Sequence, residues 1–268
     1  MTGETLAAAP GAPATSGSTL PWHLAAAGCA RAALRLTLLA LLITATNVFA
    51  AVCVRFSRDP DRLAPRIFSR LARLLIRLLG VDLRFEGTPP NGLSVVVANH
   101  RSYVDIPLVM SVVPSVFLAK SEIGDWPAFG AAARLARTVF VAREDAASRK
   151  RALAALGAAL DEGDTITVFP EGTTTTGPGC SPFRLGAFRL AAARGLPIVP
   201  IAIAYADRRD AWVDDTSFVA HFLERFRRSH MVVSFTIGPV LRDSDPSRLK
   251  DHAERWIRDR LAEWDGAR

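Results

Sequence analysis

Residues 94–105 read Ser-Val-Val-Val-Ala-Asn-His-Arg-Ser-Tyr-Val-Asp. The unbroken apolar run, rich in β-branched valine, predicts a strand buried on both faces. It stops at Asn99-His100, and Asp105 follows the histidine by five residues, near the start of a helix-like stretch over 104–112. A strand that runs into a polar turn and then a helix is a building unit of α/β folds. A histidine that takes up a proton on one ring nitrogen needs an acceptor on the other. A carboxylate there fixes the tautomer and stabilises the imidazolium. A strand-to-helix turn brings residues five apart within hydrogen-bond reach. The same spacing also suits Asp105 as a helix N-cap and His100 as an ordinary turn residue, and taken alone it is common.

The alternation continues along the chain. β-rich runs lie at Val81–Phe85, Leu93–Ala98, Val116–Ala119, Thr138–Ala142, Thr165–Phe169, Ile198–Tyr205 and Val232–Ile237, with helix-like stretches near 104–112, 127–136, 146–162, 182–194, 210–227 and 246–264. This predicts an α/β domain over 81–268, with a central, mostly parallel sheet flanked by helices. Ligands of such sheets sit beyond the carboxyl ends of the strands.

Upstream, the composition changes. Residues 1–22 are rich in Ala, Pro, Gly, Ser and Thr, and the expectation is a flexible tail over about 1–30. Leu36–Val54 carries no charge, and at about 1.5 Å per residue it just crosses a hydrocarbon core of roughly 30 Å. Arg31 and Arg35 precede it; Arg55, Arg58, Arg62, Arg66 and Arg70 follow, and this asymmetry favours a cytoplasmic catalytic domain at the inner or another plasma membrane. Over 61–80, Leu71, Leu74, Leu75, Leu78 and Leu79 recur at helical spacing together with Arg66, Arg70, Arg73 and Arg77. That is a basic amphipathic helix, suited either to anionic lipid or to packing on the domain. Residues 31–80 therefore read as a membrane-associated segment, either a spanning helix or a hairpin in one leaflet.

The bulk numbers agree. The chain has 268 residues, 50% of them hydrophobic, and a net charge of +7, with a mean hydropathy of +0.20, high for a purely soluble protein. A basic balance suits nucleic acid, anionic lipid or an acidic substrate. No stretch interleaves aromatic and basic residues as a nucleic-acid groove does, so a nucleic-acid partner is not expected. Cys29, Cys53 and Cys180 are far apart and odd in number, which reads as free thiols rather than a disulfide frame or metal site.

Three further segments join a strand to polar chemistry. Val139-Phe-Val-Ala-Arg143 ends in a planar fork of donors for phosphate or carboxylate, or in a salt bridge to Glu144 or Asp145. Thr167-Val-Phe-Pro-Glu171-Gly-Thr-Thr-Thr-Thr-Gly177 is an anion-binding turn or an ordinary Thr/Gly loop. In the first case Glu171 organises the turn or meets a ligand hydroxyl. Gly195-Leu-Pro-Ile-Val-Pro200-Ile-Ala-Ile reads as a buried scaffold strand.

In this order the blocks resemble the glycerolipid acyltransferase family that includes the 1-acylglycerol-3-phosphate acyltransferases. Its pattern is NHxxxxD, GxxF(I/V)xR, FPEGTRS and a (V/I)P(V/I) strand. Phe117-Leu-Ala-Lys120-Ser-Glu122-Ile, with Trp126-Pro127 and Gly130, resembles the family's lysine-bearing segment. The resemblance covers about residues 81–240. It implies a membrane-bound O-acyltransferase that moves a fatty acyl group from acyl-CoA or an acyl carrier protein to the hydroxyl of a lysolipid. No cofactor or metal is implied. His100 would be the general base and Asp105 its orienting carboxylate. Arg143, Glu171, Gly172, Thr173 and Thr174 would position the acceptor head, and Lys120 or backbone amides would meet the oxyanion. The absence of a G-x-S-x-G elbow fits direct transfer without an acyl-enzyme.

Two positions depart from the pattern. Arg137 stands in place of a glycine, and Thr174 stands in place of the arginine that helps hold the acceptor phosphate. The Thr-rich turn and Pro182-Phe183-Arg184 are more similar to the branch that acylates lyso-ornithine lipid. The acceptor is thus a 1-acyl-sn-glycerol-3-phosphate type lysolipid, lyso-ornithine lipid or another hydroxylated amphiphile. Readings of another class are a non-catalytic membrane adaptor with an acyltransferase fold, and a lipid hydrolase using the same base on water.

Overall fold

A computed structural model describes residues 22–213 and 216–266. Most of the tail expected over 1–30 lies outside the described residues, but its last part is helical, because α1 already begins at Trp22 and runs to Phe56. After α2 (Pro60–Leu79) the chain alternates as β1 (Val81–Glu86), β2 (Val95–Ala98), α3 (Asp105–Val112), β3 (Val116–Lys120), α4 (Phe129–Leu135), β4 (Val139–Val141), α5 (Ala146–Asp161), β5 (Ile166–Val168), α6 (Gly186–Ala193), β6 (Ile198–Tyr205), α7 (Phe218–Arg225), β7 (Met231–Ile237) and α8 (Pro246–Gly266).

The strands form one sheet in the order β1-β7-β6-β2-β5-β3-β4. All neighbours pair in parallel except β6 and β7. The sheet is mostly parallel as the sequence predicts, with β7 and β1 reversed at one side. β2 and β6 lie at its centre, and every residue of both is buried. Alternate side chains of a strand face opposite sides. Val96 and Ala98 of β2 pack with Leu71, Leu75, Leu108 and Phe222 from α2, α3 and α7, while Val95 and Val97 pack with Leu156, Phe188 and Ile257 from α5, α6 and α8. Helices therefore cover both faces. On α8, Leu249, Ala253, Ile257 and Leu261 are buried at steps of four, the stripe that docks a long helix on a sheet.

α1 and α2 form a hairpin on the same face as α3. α2 buries Ile67, Phe68, Leu71, Leu75 and Ile76 and turns Arg66, Arg70, Arg73 and Arg77 outward, the arginine stripe expected of it. α1 is the one helix among the described residues long and apolar enough to cross a membrane. It buries Leu39, Ile43 and Ala50, and leaves Leu34, Leu38, Leu41, Val48, Phe49, Val52 and Phe56 exposed. The arginines before it bond to the domain. Arg31 donates to the carbonyl of Arg227 at 2.8 Å, and Arg35 to those of Arg228 and Ser229 at 2.6 and 2.7 Å, satisfying the carbonyls that follow α7. Farther along α1, Asn47 donates to the carbonyl of Ala128 at 2.9 Å. The domain thus grips α1 at two points twelve residues apart, about 18 Å of helix.

Candidate active site

The carboxyl ends of β2, β3, β4 and β5 point the same way, since these strands are mutually parallel. His100, Lys120, Arg143 and Gly172 follow these ends and share the wall of one cavity of about 800 Å³. The strand-to-turn pattern read in the sequence is what brings them together.

His100 Nδ1 lies 2.8 Å from Asp105 Oδ2. The same oxygen accepts the backbone N–H of Arg101 at 2.6 Å and of Ser102 at 2.8 Å, and Oδ1 accepts the Tyr205 hydroxyl at 2.6 Å. Asp105 is 0% exposed. Three donors besides the imidazole suit a buried carboxylate rather than a carboxylic acid. An acceptor at Nδ1 places the proton there and leaves Nε2 with its lone pair free to take a proton. The helix N-cap reading does not apply. Val104 is the cap residue, and the Asp105 carboxylate bonds back into the turn that precedes it. Burial and the neighbouring Asp105 hold the Tyr205 phenol well above its ordinary pKa, so it remains a donor.

A ring stack sets the imidazole plane, and two hydrogen bonds fix the His100 backbone. Its ring stacks on Phe169, with centroids 4.0 Å apart and planes 14° apart. The backbone N–H of His100 donates to Glu171 Oε1 at 2.7 Å, and its carbonyl accepts from Thr175 N at 3.0 Å. Asn99 closes the end of β2 on β6, its amide donating to the Ile203 carbonyl at 2.9 Å and accepting the Ile203 N–H at 2.8 Å.

Of the two roles read for Glu171, organising the turn and meeting a ligand hydroxyl, its contacts are those of the first. It is 5% exposed, Oε1 is taken by His100, and Oε2 accepts Ser181 N at 2.6 Å and the Thr175 hydroxyl at 3.3 Å. It joins the His100 turn to the Thr-rich turn from below the cavity wall. Burial raises its pKa, and the hydrogen bonds from His100 and Ser181 oppose that rise. Arg101, also buried, completes the junction through Thr175 Oγ1 at 2.6 Å and the Gly179 carbonyl at 2.5 Å.

Arg143 forms no salt bridge with Glu144 or Asp145. It donates to the Gly172 carbonyl, and Asp145 instead caps α5 through Ala147 N and Ser148 N. Thr173 and Thr174 lie on the cavity wall. Lys120 also lies there, but its ammonium is 2.7 Å from Glu122, and that pairing raises the lysine pKa. Arg184 stands on the wall too, and the sequence reading gave it no part in the site. Gly172 has φ +74°, the left-handed region that favours glycine, and a Cβ there would stand 2.9 Å from Arg184 Cζ, so with any other residue that side chain would have to shift from where it lies across the turn. Arg137, in place of the family's glycine, has φ +61°, the left-handed region that explains a glycine there. Its guanidinium offsets the strain by pairing with Glu162, with Asp164 at 2.5 Å and with Asp61 of α2 at 3.4 Å.

The rest of the wall is apolar. Leu39 and Ile43 of α1 and Phe68, Leu71 and Leu75 of α2 line it, with Tyr103, Trp126, Trp212 and Phe218 among its aromatic residues. An imidazole paired with a buried carboxylate, a group of cations and a long apolar lining share one cavity.

Comparison with known proteins points the same way. Residues 81–204 match the family described as Acyltransferase. A lyso-ornithine lipid O-acyltransferase of Rhizobium meliloti (strain 1021) is 31% identical over 230 residues, covering 78% of this chain and 77% of that protein. A protein of the same description from Pseudomonas aeruginosa is 35% identical over 194 residues, 69% of this chain and 71% of that one. A 1-acyl-sn-glycerol-3-phosphate acyltransferase of Neisseria gonorrhoeae is 36% identical over 135 residues, 48% of this chain and 52% of that protein. The crystal structure of the 1-acyl-sn-glycerophosphate (LPA) acyltransferase PlsC from Thermotoga maritima superposes with a TM-score of 0.66 at 22% identity, over 87% of this chain and 98% of that one, a likeness of fold.

Proposed function

We propose, because this chain belongs to the acyltransferase family and is a lysolipid acyltransferase, that it esterifies the free hydroxyl of lyso-ornithine lipid, taking its acyl group from a thioester of coenzyme A or acyl carrier protein. The observation that carries the acceptor is the turn Glu171-Gly-Thr-Thr-Thr, where threonine at 174 replaces the arginine of the glycerophosphate pattern. The extent of the match to the two lyso-ornithine lipid O-acyltransferases supports the same choice. A 1-acyl-sn-glycerol-3-phosphate acceptor is the second reading, favoured by the match to the Neisseria protein.

In the proposed mechanism His100 Nε2 removes the acceptor hydroxyl proton as the oxygen attacks the thioester carbonyl. Asp105 holds the imidazole and stabilises the imidazolium that forms. The tetrahedral intermediate collapses, the C–S bond breaks, and the imidazolium returns its proton to the departing thiolate. Ester and free thiol are the products. The 2.8 Å contact of His100 with the fully buried Asp105 supports these roles. The apolar cavity walls are suited to hold acyl chain.

The hairpin of α1 and α2 is proposed to enter one leaflet of the inner membrane from the cytoplasmic side. Domain contacts at Arg35 and Asn47 hold α1 along the domain surface, while its outer face presents Leu41, Phe49 and Phe56 to lipid. Incubating the purified protein with labelled acyl-CoA or acyl carrier protein and a panel of lysolipids tests the acceptor. Ornithine lipid is the expected product. Phosphatidic acid as the main product would reverse the choice, and thiol release without any acceptor would favour hydrolysis.

A further inference from the structure

We infer that Arg184 and Arg143 together form the seat of an anionic acceptor head, a carboxylate or a phosphate, with Arg184 supplying the second cation in place of an arginine at 174. The inference rests on the reading that the cavity takes a lysolipid acceptor.

The two guanidinium groups flank one residue. Arg143 donates to the carbonyl of Gly172, and Arg184 lies across its Cα, where any side chain would collide with Cζ. Both stand on the cavity wall with Thr173 and Thr174. No carboxylate forms an ion pair with either arginine among the described residues, whereas Lys120 on the same wall has Glu122 at 2.7 Å. Burial, and then the charge of Arg184, lower the Arg143 pKa, as expected of two cations held close; Glu144 and Glu122 oppose that fall without forming an ion pair with Arg143. An oxyanion between them removes that repulsion and accepts forked hydrogen bonds from both, which a neutral head does not. The carboxylate of an ornithine head and the phosphate of a glycerophosphate head share this chemistry. Threonine at 174 leaves room beside them and adds a hydroxyl donor.

Trp126 and Trp212 line the cavity, so intrinsic fluorescence reports its occupancy. The full-length protein is titrated with monododecyl phosphate, N-dodecanoylglycine and dodecanol, three single-chain probes with a phosphate, a carboxylate and a neutral head. At least one anionic probe is expected to bind about tenfold or more tightly than dodecanol, and Arg184→Gln to weaken that probe by about ten- to a hundredfold, the loss of a charge-assisted contact, with dodecanol unchanged. The stronger of the two anions identifies the head. Arg184→Lys, which keeps the charge but not the fork, is expected to retain part of the preference. Equal binding of all three probes by the wild type, or an undiminished anion preference in Arg184→Gln, overturns the inference. These readouts need no turnover, so failure of the acceptor reading in the lysolipid panel is told apart from failure of the arginine pair.

Discussion

Tyr205→Phe isolates one atom of the site. The phenol oxygen is the donor to Asp105 Oδ1 at 2.6 Å, and both side chains are buried. Phenylalanine keeps the ring in place and creates no cavity larger than the missing oxygen. The loss is that of a hydrogen bond to a charged group, about 1.5–3 kcal/mol. A cost near 2 kcal/mol lowers Tm by about 4–8 °C in a chain of this size. Asp105 Oδ2 keeps its three contacts, but the carboxylate is freer to rotate away from His100 Nδ1. If about 1.4 kcal/mol of the loss falls on the imidazolium that forms during transfer, kcat drops about tenfold. Tyr205 stands off the wall of the large cavity, so KM for donor and acceptor is expected to stay within about twofold. The assay is thiol release from acyl-CoA at saturating acceptor, beside thermal unfolding. A lowered Tm with kcat at the wild-type value would assign Tyr205 to packing alone and refute its role in holding Asp105.

Three further expectations concern the frame around the site. At Arg137, held at φ +61°, glycine is expected to be more stable than alanine by about 1 kcal/mol, since both lose the ion pairs but only glycine relieves the left-handed strain; equilibrium denaturation checks the order. Leu41→Ser with Phe49→Ser, on the exposed face of α1, is expected to weaken partition onto anionic vesicles by about a hundredfold or more while Tm stays near the wild-type value, as each side chain withdrawn from lipid costs about 1.5–3 kcal/mol. Unchanged vesicle binding in a flotation assay would remove α1 from the membrane contact. Arg31→Ala with Arg35→Ala is expected to lower Tm, because it strips donors from the carbonyls after α7; a loss of vesicle binding with no loss of stability would assign those arginines to the membrane contact instead.

The sheet was legible because buried parallel strands are unbroken apolar runs. β2, β3, β5 and β6 all lie within the predicted segments to about a residue, and β2 and β5 run directly into the polar turns that carry His100 and Gly172. The reversed pair β7 and β1 was not legible, since direction follows from connections around the whole sheet rather than from any local pattern. Of the stretch expected to be helical over 210–227, only α7 from Phe218 to Arg225 is α-helical, and a 3₁₀ turn at Arg208–Asp210, capped by Asp207, ends where that stretch was expected to begin. Within the site, His100 and Asp105 could be found because only a turn separates them. Tyr205 meets Asp105 across 100 residues of sequence, and Phe169 stacks under His100 from a different strand, so neither left a local signal. Glu171 shows the converse. Its place in the turn was visible, but whether its carboxylate faced a ligand or the protein depended on the backbone N–H groups of His100 and Ser181, which no spacing reveals. Arg184 was in plain view beside Pro182-Phe183, yet only the fold places it over Gly172.

The direct test of the mechanism is the turnover of His100→Ala. The substitution removes the imidazole and leaves the Asp105 carboxylate its contacts with Arg101, Ser102 and Tyr205, so the turn keeps most of its hydrogen bonds. With the purified variant shown to be folded by its unfolding transition and still bound to vesicles, ester formation from labelled acyl-CoA and the preferred lysolipid is measured. Loss of a general base predicts a fall in kcat of at least about a hundredfold. Turnover near the wild-type value would contradict His100 as the base that deprotonates the acceptor.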